Sequence, residues 1–200
     1  MHPASEILRR TYRPEAGERA RSLAALTHRL GKRGGYPTGH TEAVSGLAVA
    51  IAVRLGLRDD ELAEVALGGL LHDVGKVEVP ESILGKASSL DELEWHAMRR
   101  HAESGARLVH SVVDLPGVLA VVRWHHERWD GTGYPDGMRG EQIPLPARIV
   151  AVADAFQAML ETRPYRNGRT ESAALEELRR HAGSQFDPDC VDALAAVLDD

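Results

Sequence analysis

Apolar residues recur at steps of three and four along most of this chain, the period that packed helices require. Between residues 40 and 56 the positions Val44, Leu47, Ala48, Ile51 and Leu55 form one such stripe, with Gly56 at its end. A second stripe runs through Leu62, Val65, Ala66, Gly69 and Leu70, with Asp59 or Asp60 as its cap. Ser89 and Glu92 have capping-box spacing, after which Leu90, Leu93, Ala97 and His101 share a face. Val118, Val121, Val122 and His125 repeat the step, and Pro146 opens a helix over 149–160 whose only acid is Asp154. The last two helices span 171–181, ended by Gly183, and a segment capped by Asp187 with Pro188 in its first turn, carrying Val191, Leu194, Ala195 and Leu198. Aromatic residues are only 4% of the chain, which argues against a sandwich or barrel. The expected fold class is an all-α helical bundle.

Two hundred residues suit one domain with a short appendage. A charged stretch over 15–30 carries Leu23, Leu26 and Leu30 on one stripe and reads as a lead-in helix or linker within residues 1–35, leaving 36–200 as the main domain. The net charge of −6 gives no global positive field for a nucleic acid polymer or an anionic membrane. The longest apolar runs, such as 47–53, fall well short of the roughly 18 residues that span a bilayer, and residues 1–9 lack an apolar signal core. A cytoplasmic location is expected. Cys190 is the single cysteine, so thiolate zinc sites and internal disulfides are excluded.

The compositional anomaly is ten histidines. His40, His72, His101, His125 and His126 fall at helix ends or on apolar faces of four helical segments, and Asp73 and Asp154 join them. Any one of these histidines alone reads as a satisfied core residue. Together, seven buried polar groups would each cost about 1–3 kcal/mol if unpaired, a burden comparable with the stability of a whole domain. A metal centre satisfies them jointly. Neutral imidazoles with carboxylates suit iron, manganese or zinc better than magnesium or calcium, and seven ligands suggest two ions. A pair of such ions about 3.5–4 Å apart clamps phosphoryl oxygens and acidifies water, which is phosphoester hydrolysis chemistry.

The run His72-Asp73-Val74-Gly75-Lys76 resembles the HDxGK signature of the HD phosphohydrolase superfamily. The run from His125-His126-Glu127 through Asp130-Gly131-Thr132-Gly133-Tyr134-Pro135 is similar to the far more specific HHExxDGxGYP string of its HD-GYP subfamily. The likeness extends from Tyr36 to about Leu194. It implies a helical bundle with a dinuclear metal site, most often iron or manganese, that hydrolyses the bacterial second messenger cyclic di-GMP to pGpG or GMP. By the same resemblance His40, His72, Asp73, His101, His125, His126 and Asp154 match the metal ligands, with Asp73 as the bridge. Lys76 matches a phosphate-contacting lysine, and Arg163 and Arg166 match positions near the ligand, where guanidinium forks hold phosphate or guanine. Tyr134 lines the pocket or docks a partner.

Some family members hold a third metal through a glutamate four residues before the first ligand histidine; this chain has Tyr36 there, so two metals are expected. Gly34, Pro37 and Gln157 also depart from common family residues. The other functions weighed are hydrolysis of another cyclic dinucleotide or phosphorylated nucleotide, non-catalytic reception of cyclic di-GMP, and di-iron oxygenation, which Lys76 and the Gly-Tyr-Pro string disfavour. Partners implied by the resemblance are cyclic di-GMP, a diguanylate cyclase domain or a sensor or receiver protein in trans, and a second copy of the chain. His2, His28, His96, His110 and His181 are read as solvated.

Overall fold

In the computed structural model, which describes residues 39–86, 88–111, 114–162 and 167–200, the apolar stripes become helices whose ends carry the polar residues. His2, the stretch 15–30, Tyr36, Arg163 and Arg166 lie outside the described residues. The helices are α1 (His40–Arg54), α2 (Asp59–Leu71), α3 (Glu81–Leu84), α4 (Glu92–Arg99), α5 (His101–His110), α6 (Pro116–Trp124), α7 (Leu145–Leu160), α8 (Glu171–Arg180) and α9 (Pro188–Leu198). Short 3-10 turns occupy Val74–Glu78 and Gly140–Gln142. Among the described residues there is no strand, only an isolated bridge between Ala182 and Phe186.

Helix α1 packs on α2 and α7, and α2 on α6. Their stripes meet in a core where Val44, Ala48 and Ile51 of α1 touch Ile149, Val152 and Phe156 of α7 and Leu178, Val191 and Leu194 of the last two helices. A second cluster, Leu67, Leu71, Val74, Val109, Val118 and Val122, joins α2, α5 and α6. Truncating Phe156 in the first cluster to alanine should cost about 3–5 kcal/mol. The two clusters hold the helix ends that carry the histidines.

The caps differ from the sequence reading in two places. At α2 the N-cap is Arg58, whose backbone N–H donates to Glu61, so Asp59 and Asp60 fall in the first turn, where their charge meets the helix dipole. At α4 the capping box is Asp91 with Glu94, each side chain accepting from the other's backbone N–H at 2.9 Å, in place of Ser89 with Glu92. The face proposed through Leu93 to His101 is also broken: α4 ends before Arg100, α5 begins at His101, and Leu93 is 83% exposed. His101 is buried all the same, because the new helix redirects it.

One glycine decides how closely the parts meet. A Cβ on Gly75 would run into the carbonyl oxygen of His101 and the backbone N of Gly105, so only glycine lets the turn after Asp73 lie against the start of α5. Asp73 and His101 become neighbours for this reason.

Candidate metal centre

Five of the seven side chains stand at helix boundaries, where a residue can leave its own helix face. His40 opens α1 after the left-handed Gly39, His72 follows α2, Asp73 precedes the 3-10 turn, His101 opens α5, and His125 follows α6. His126 is the next residue in the chain, and Asp154 lies inside α7. All seven residues expected from the sequence come together.

They form two ligand groups, Asp73, His101, His125 and His126 in one and His40, His72 and Asp154 in the other, each with its donor atoms within 4.8 Å of one another. The imidazoles are in continuous contact: ring centroids are 5.9 Å apart for His40 and His72, 5.1 Å for His72 and His125, and 4.0 Å for His125 and His126. Asp73 links the groups, with Oδ2 3.3 Å from His72 Nε2 and Oδ1 3.3 Å from His101 Nε2.

The protons on the rings are assigned by their partners. Nδ1 of His72 donates to the carbonyl of Gly69 at 2.7 Å, that of His101 to Met98 at 2.7 Å, and that of His125 to Val121 at 3.0 Å. Each ring is thereby turned so that Nε2 faces the cluster, and the Nε2 atoms of His72, His101 and His125 are buried without a hydrogen-bond partner. Three buried imidazole nitrogens directed at carboxylates are what a divalent cation satisfies, so the residues fit a metal centre of nitrogen and oxygen donors.

Charge differs between the groups. Burial holds His101 below the usual histidine range and His125 and His126 well below it. His72 is also fully enclosed, yet the Asp73 carboxylate outweighs burial and pushes it up to about 9. Burial likewise opposes charge on His40, but Asp154 raises it. Asp73 resists the effect of burial because Lys76 and His72 hold it well below the usual carboxylate range. Asp154, expected as an enclosed carboxylate, keeps 23% of its side chain exposed and lies 3.0 Å from His40 Nε2 and 3.9 Å from His72 Nε2.

Lys76 places its ammonium 2.6 Å from Asp73 Oδ2, so the expected phosphate contact sits directly beside the linking carboxylate. Tyr134 stacks on His126, with centroids 4.8 Å apart and planes at 25°. The Tyr134–Pro135 peptide is cis. Arg163 and Arg166 cannot be placed, being outside the described residues.

Four residues to which the sequence reading gives no role shape the site. Glu127, 4% exposed, accepts backbone N–H groups of Asp136, Gly137 and Met138 at 2.7, 3.0 and 3.1 Å and so folds the loop that carries Tyr134 against the histidines. Gly133 lies against the backbone of Glu127 and Arg128, where a Cβ would clash. Glu161 accepts from His40 Nδ1 at 2.6 Å, so this ring is oriented by a carboxylate where the other three use backbone carbonyls. Arg99 lies over the Tyr134 ring. Glu127 and Gly133 lie inside the quoted motif; Glu161 and Arg99 carry no local signal.

Residues 12–190 match the family described as HD domain. The chain is 44% identical over 184 residues to the cyclic di-GMP phosphodiesterase response regulator RpfG of Xanthomonas campestris pv. campestris, covering 90% of this chain and 48% of that protein. It is 36% identical over 163 residues to 3'3'-cGAMP-specific phosphodiesterase 3 of Vibrio cholerae, covering 82% of this chain and 35% of that protein. The chain thus spans half or less of these relatives' length. In fold alone, it is similar to the crystal structure of a cyclic GMP-AMP specific phosphodiesterase of V. cholerae, with a TM-score of 0.72 and 20% identity over 90% of this chain and 49% of that one. Among the described residues no helix is long and apolar enough to cross a membrane.

Proposed function

The chain belongs to the HD-domain family, with the HD-GYP signature, and on that premise we propose that it is a metal-dependent phosphodiesterase that hydrolyses cyclic di-GMP. The observation that carries the reading is the pair of adjoining ligand groups, whose buried nitrogens have no hydrogen-bond partner and whose linking carboxylate is shared.

His40, His72 and Asp154 would hold one ion and His101, His125 and His126 the other, with Asp73 between them; the donor set favours iron or manganese, and seven ligands favour two ions. When bound, such ions supply a Lewis-acid clamp on the scissile phosphate and a nucleophile available at neutral pH. The remaining work falls to the chain itself. Backbone carbonyls of Gly69, Met98 and Val121 fix the ring orientations. Lys76, beside Asp73, meets charge that develops on a phosphoryl oxygen. Tyr134, held by the Glu127 loop, closes one side of the site and excludes water from it. Arg163 and Arg166 hold the diester. Water adds to phosphorus and the P–O3′ bond breaks, which opens the ring to pGpG; the same reaction on pGpG yields GMP. Residues 36–200 carry this chemistry and residues 1–35 lead into it.

The similarity to a 3'3'-cGAMP-specific relative supports a second reading, in which the mixed cyclic dinucleotide is the preferred substrate. Chromatography of products from cyclic di-GMP and 3'3'-cGAMP, with metal analysis of the same sample, decides. The first reading expects pGpG to appear first and cyclic di-GMP to be consumed faster. Faster loss of 3'3'-cGAMP favours the second reading, and a metal-loaded protein that cuts neither refutes both.

A further inference from the structure

Arg99 is the last residue of α4, exposed, and two positions before the ligand His101. Its guanidinium carbon lies 5.3 Å from the centroid of Tyr134 and 5.9 Å from that of Trp95. Tyr134 in turn stacks on His126. Guanidinium, phenol and imidazole thus form three layers that lead from solvent to the histidine-rich ligand group.

Three cations of the motif region are already engaged. Lys76 ends on Asp73, Arg123 on Asp136 and Arg128 on Asp130. Arg99 meets no carboxylate among the described residues; its contacts are the faces of two rings, which leave the edge of the guanidinium and its N–H groups available. A cation fixed by stacking loses little freedom when it binds, so its fork is set up for an anion beside the metal centre.

The proposed substrate supplies that anion. A cyclic dinucleotide carries two diester phosphates in one ring, and only one can be cut at a time. The other stays charged, and Arg99 offers it a guanidinium fork in addition to the Arg163 and Arg166 pair assigned above to the diester. We propose that Arg99 binds this second, uncut phosphodiester and thereby selects ring-shaped dinucleotides over diesters with a single phosphate. The inference rests on the phosphodiesterase reading and adds to it a specificity-determining contact.

The test compares two substrates on the metal-loaded chain: cyclic di-GMP, with two phosphates, and bis(p-nitrophenyl) phosphate, with one. Arg99→Ala should lower kcat/KM for cyclic di-GMP by about ten- to a hundredfold, chiefly through KM, as loss of one charged hydrogen bond predicts. It should lower the value for the single-phosphate diester at least about tenfold less. Arg99→Lys, which keeps the charge and loses the planar fork, should recover part of the loss. The dissociation constant of cyclic di-GMP from metal-free Arg99→Ala should rise in parallel, with melting temperature and metal content checked against the unaltered chain. An equal fall on both substrates would assign Arg99 to bracing Tyr134 and overturn the proposal, as would no fall on either. An unaltered chain that fails to cut cyclic di-GMP would instead sink the phosphodiesterase reading.

Discussion

The two ligand groups adjoin, yet their histidines are shifted in opposite directions. In the histidine-rich group, burial lowers His101, His125 and His126, with one carboxylate, Asp73, among three imidazoles. In the carboxylate-paired group, Asp154, Asp73 and Glu161 surround two imidazoles and raise both. A cation entering the first group finds lone pairs ready at neutral pH. A cation entering the second must displace protons that the carboxylates hold in place. Burial and pairing act on every histidine here; which one dominates depends on the number of carboxylates within reach.

The largest effect should come from the residue that belongs to both groups. Asp73→Ala removes the link, and metal analysis should find both ions lost, with turnover down by more than the roughly 10- to 100-fold that loss of an outer partner costs. Circular dichroism should remain helical, since the apolar clusters lie on other residues. Two retained ions with full turnover would show that the groups do not depend on Asp73.

A smaller and one-sided effect is expected at Glu161. Glu161→Gln keeps an acceptor beside His40 Nδ1 but removes the charge, so one of the two metal equivalents should bind about 10- to 100-fold more weakly while the other is unchanged. A metal titration by calorimetry resolves the two steps. Equal weakening of both steps would erase the distinction between the groups.

The smallest effect is a matter of protons. Metal-free His72, raised to about 9, is charged at pH 8. Loading the carboxylate-paired group at that pH should therefore release more protons than loading the histidine-rich group, with His72 supplying about one, read from titrations in buffers of different ionisation enthalpy. The same shift fixes a sign for stability. Because the folded value lies above the unfolded 6.5, His72 stabilises the metal-free fold fully below pH 6.5 and loses that contribution as pH rises through about 9. Metal-free protein should lose part of its thermal stability over this window, and the loaded protein should not.

Much of this arrangement was legible in the sequence because its causes are periodic or local. The stripes of α1, α6 and α7 follow the three-and-four step, and the pentad from His72 to Lys76 carries its own turn glycine. The cap of α4 was misplaced by two residues because Ser89 with Glu92 and Asp91 with Glu94 have the same spacing, and only the fold decides between them. The spacing puts Leu93 on one face with His101 because the sequence contains no breaker at Arg100, where α4 gives way to α5 and Leu93 is left exposed. Glu161 and Arg99 were missed for a different reason. Glu161 is 121 positions from His40, and Arg99 acts through a ring 35 positions away, so no window of sequence brings either to its partner.

If the two ligand groups form one centre that cuts a cyclic dinucleotide, both must be filled before hydrolysis runs at full rate. The deciding measurement strips the purified chain of metal, adds manganese or iron(II) in steps, and follows bound metal and cyclic di-GMP cleavage in the same samples. The first equivalent should bind with little hydrolysis, pGpG formation should rise with the second, and it should saturate at about two per chain. Full hydrolysis at one equivalent, or saturation at two with cyclic di-GMP bound but uncut, would contradict such a centre.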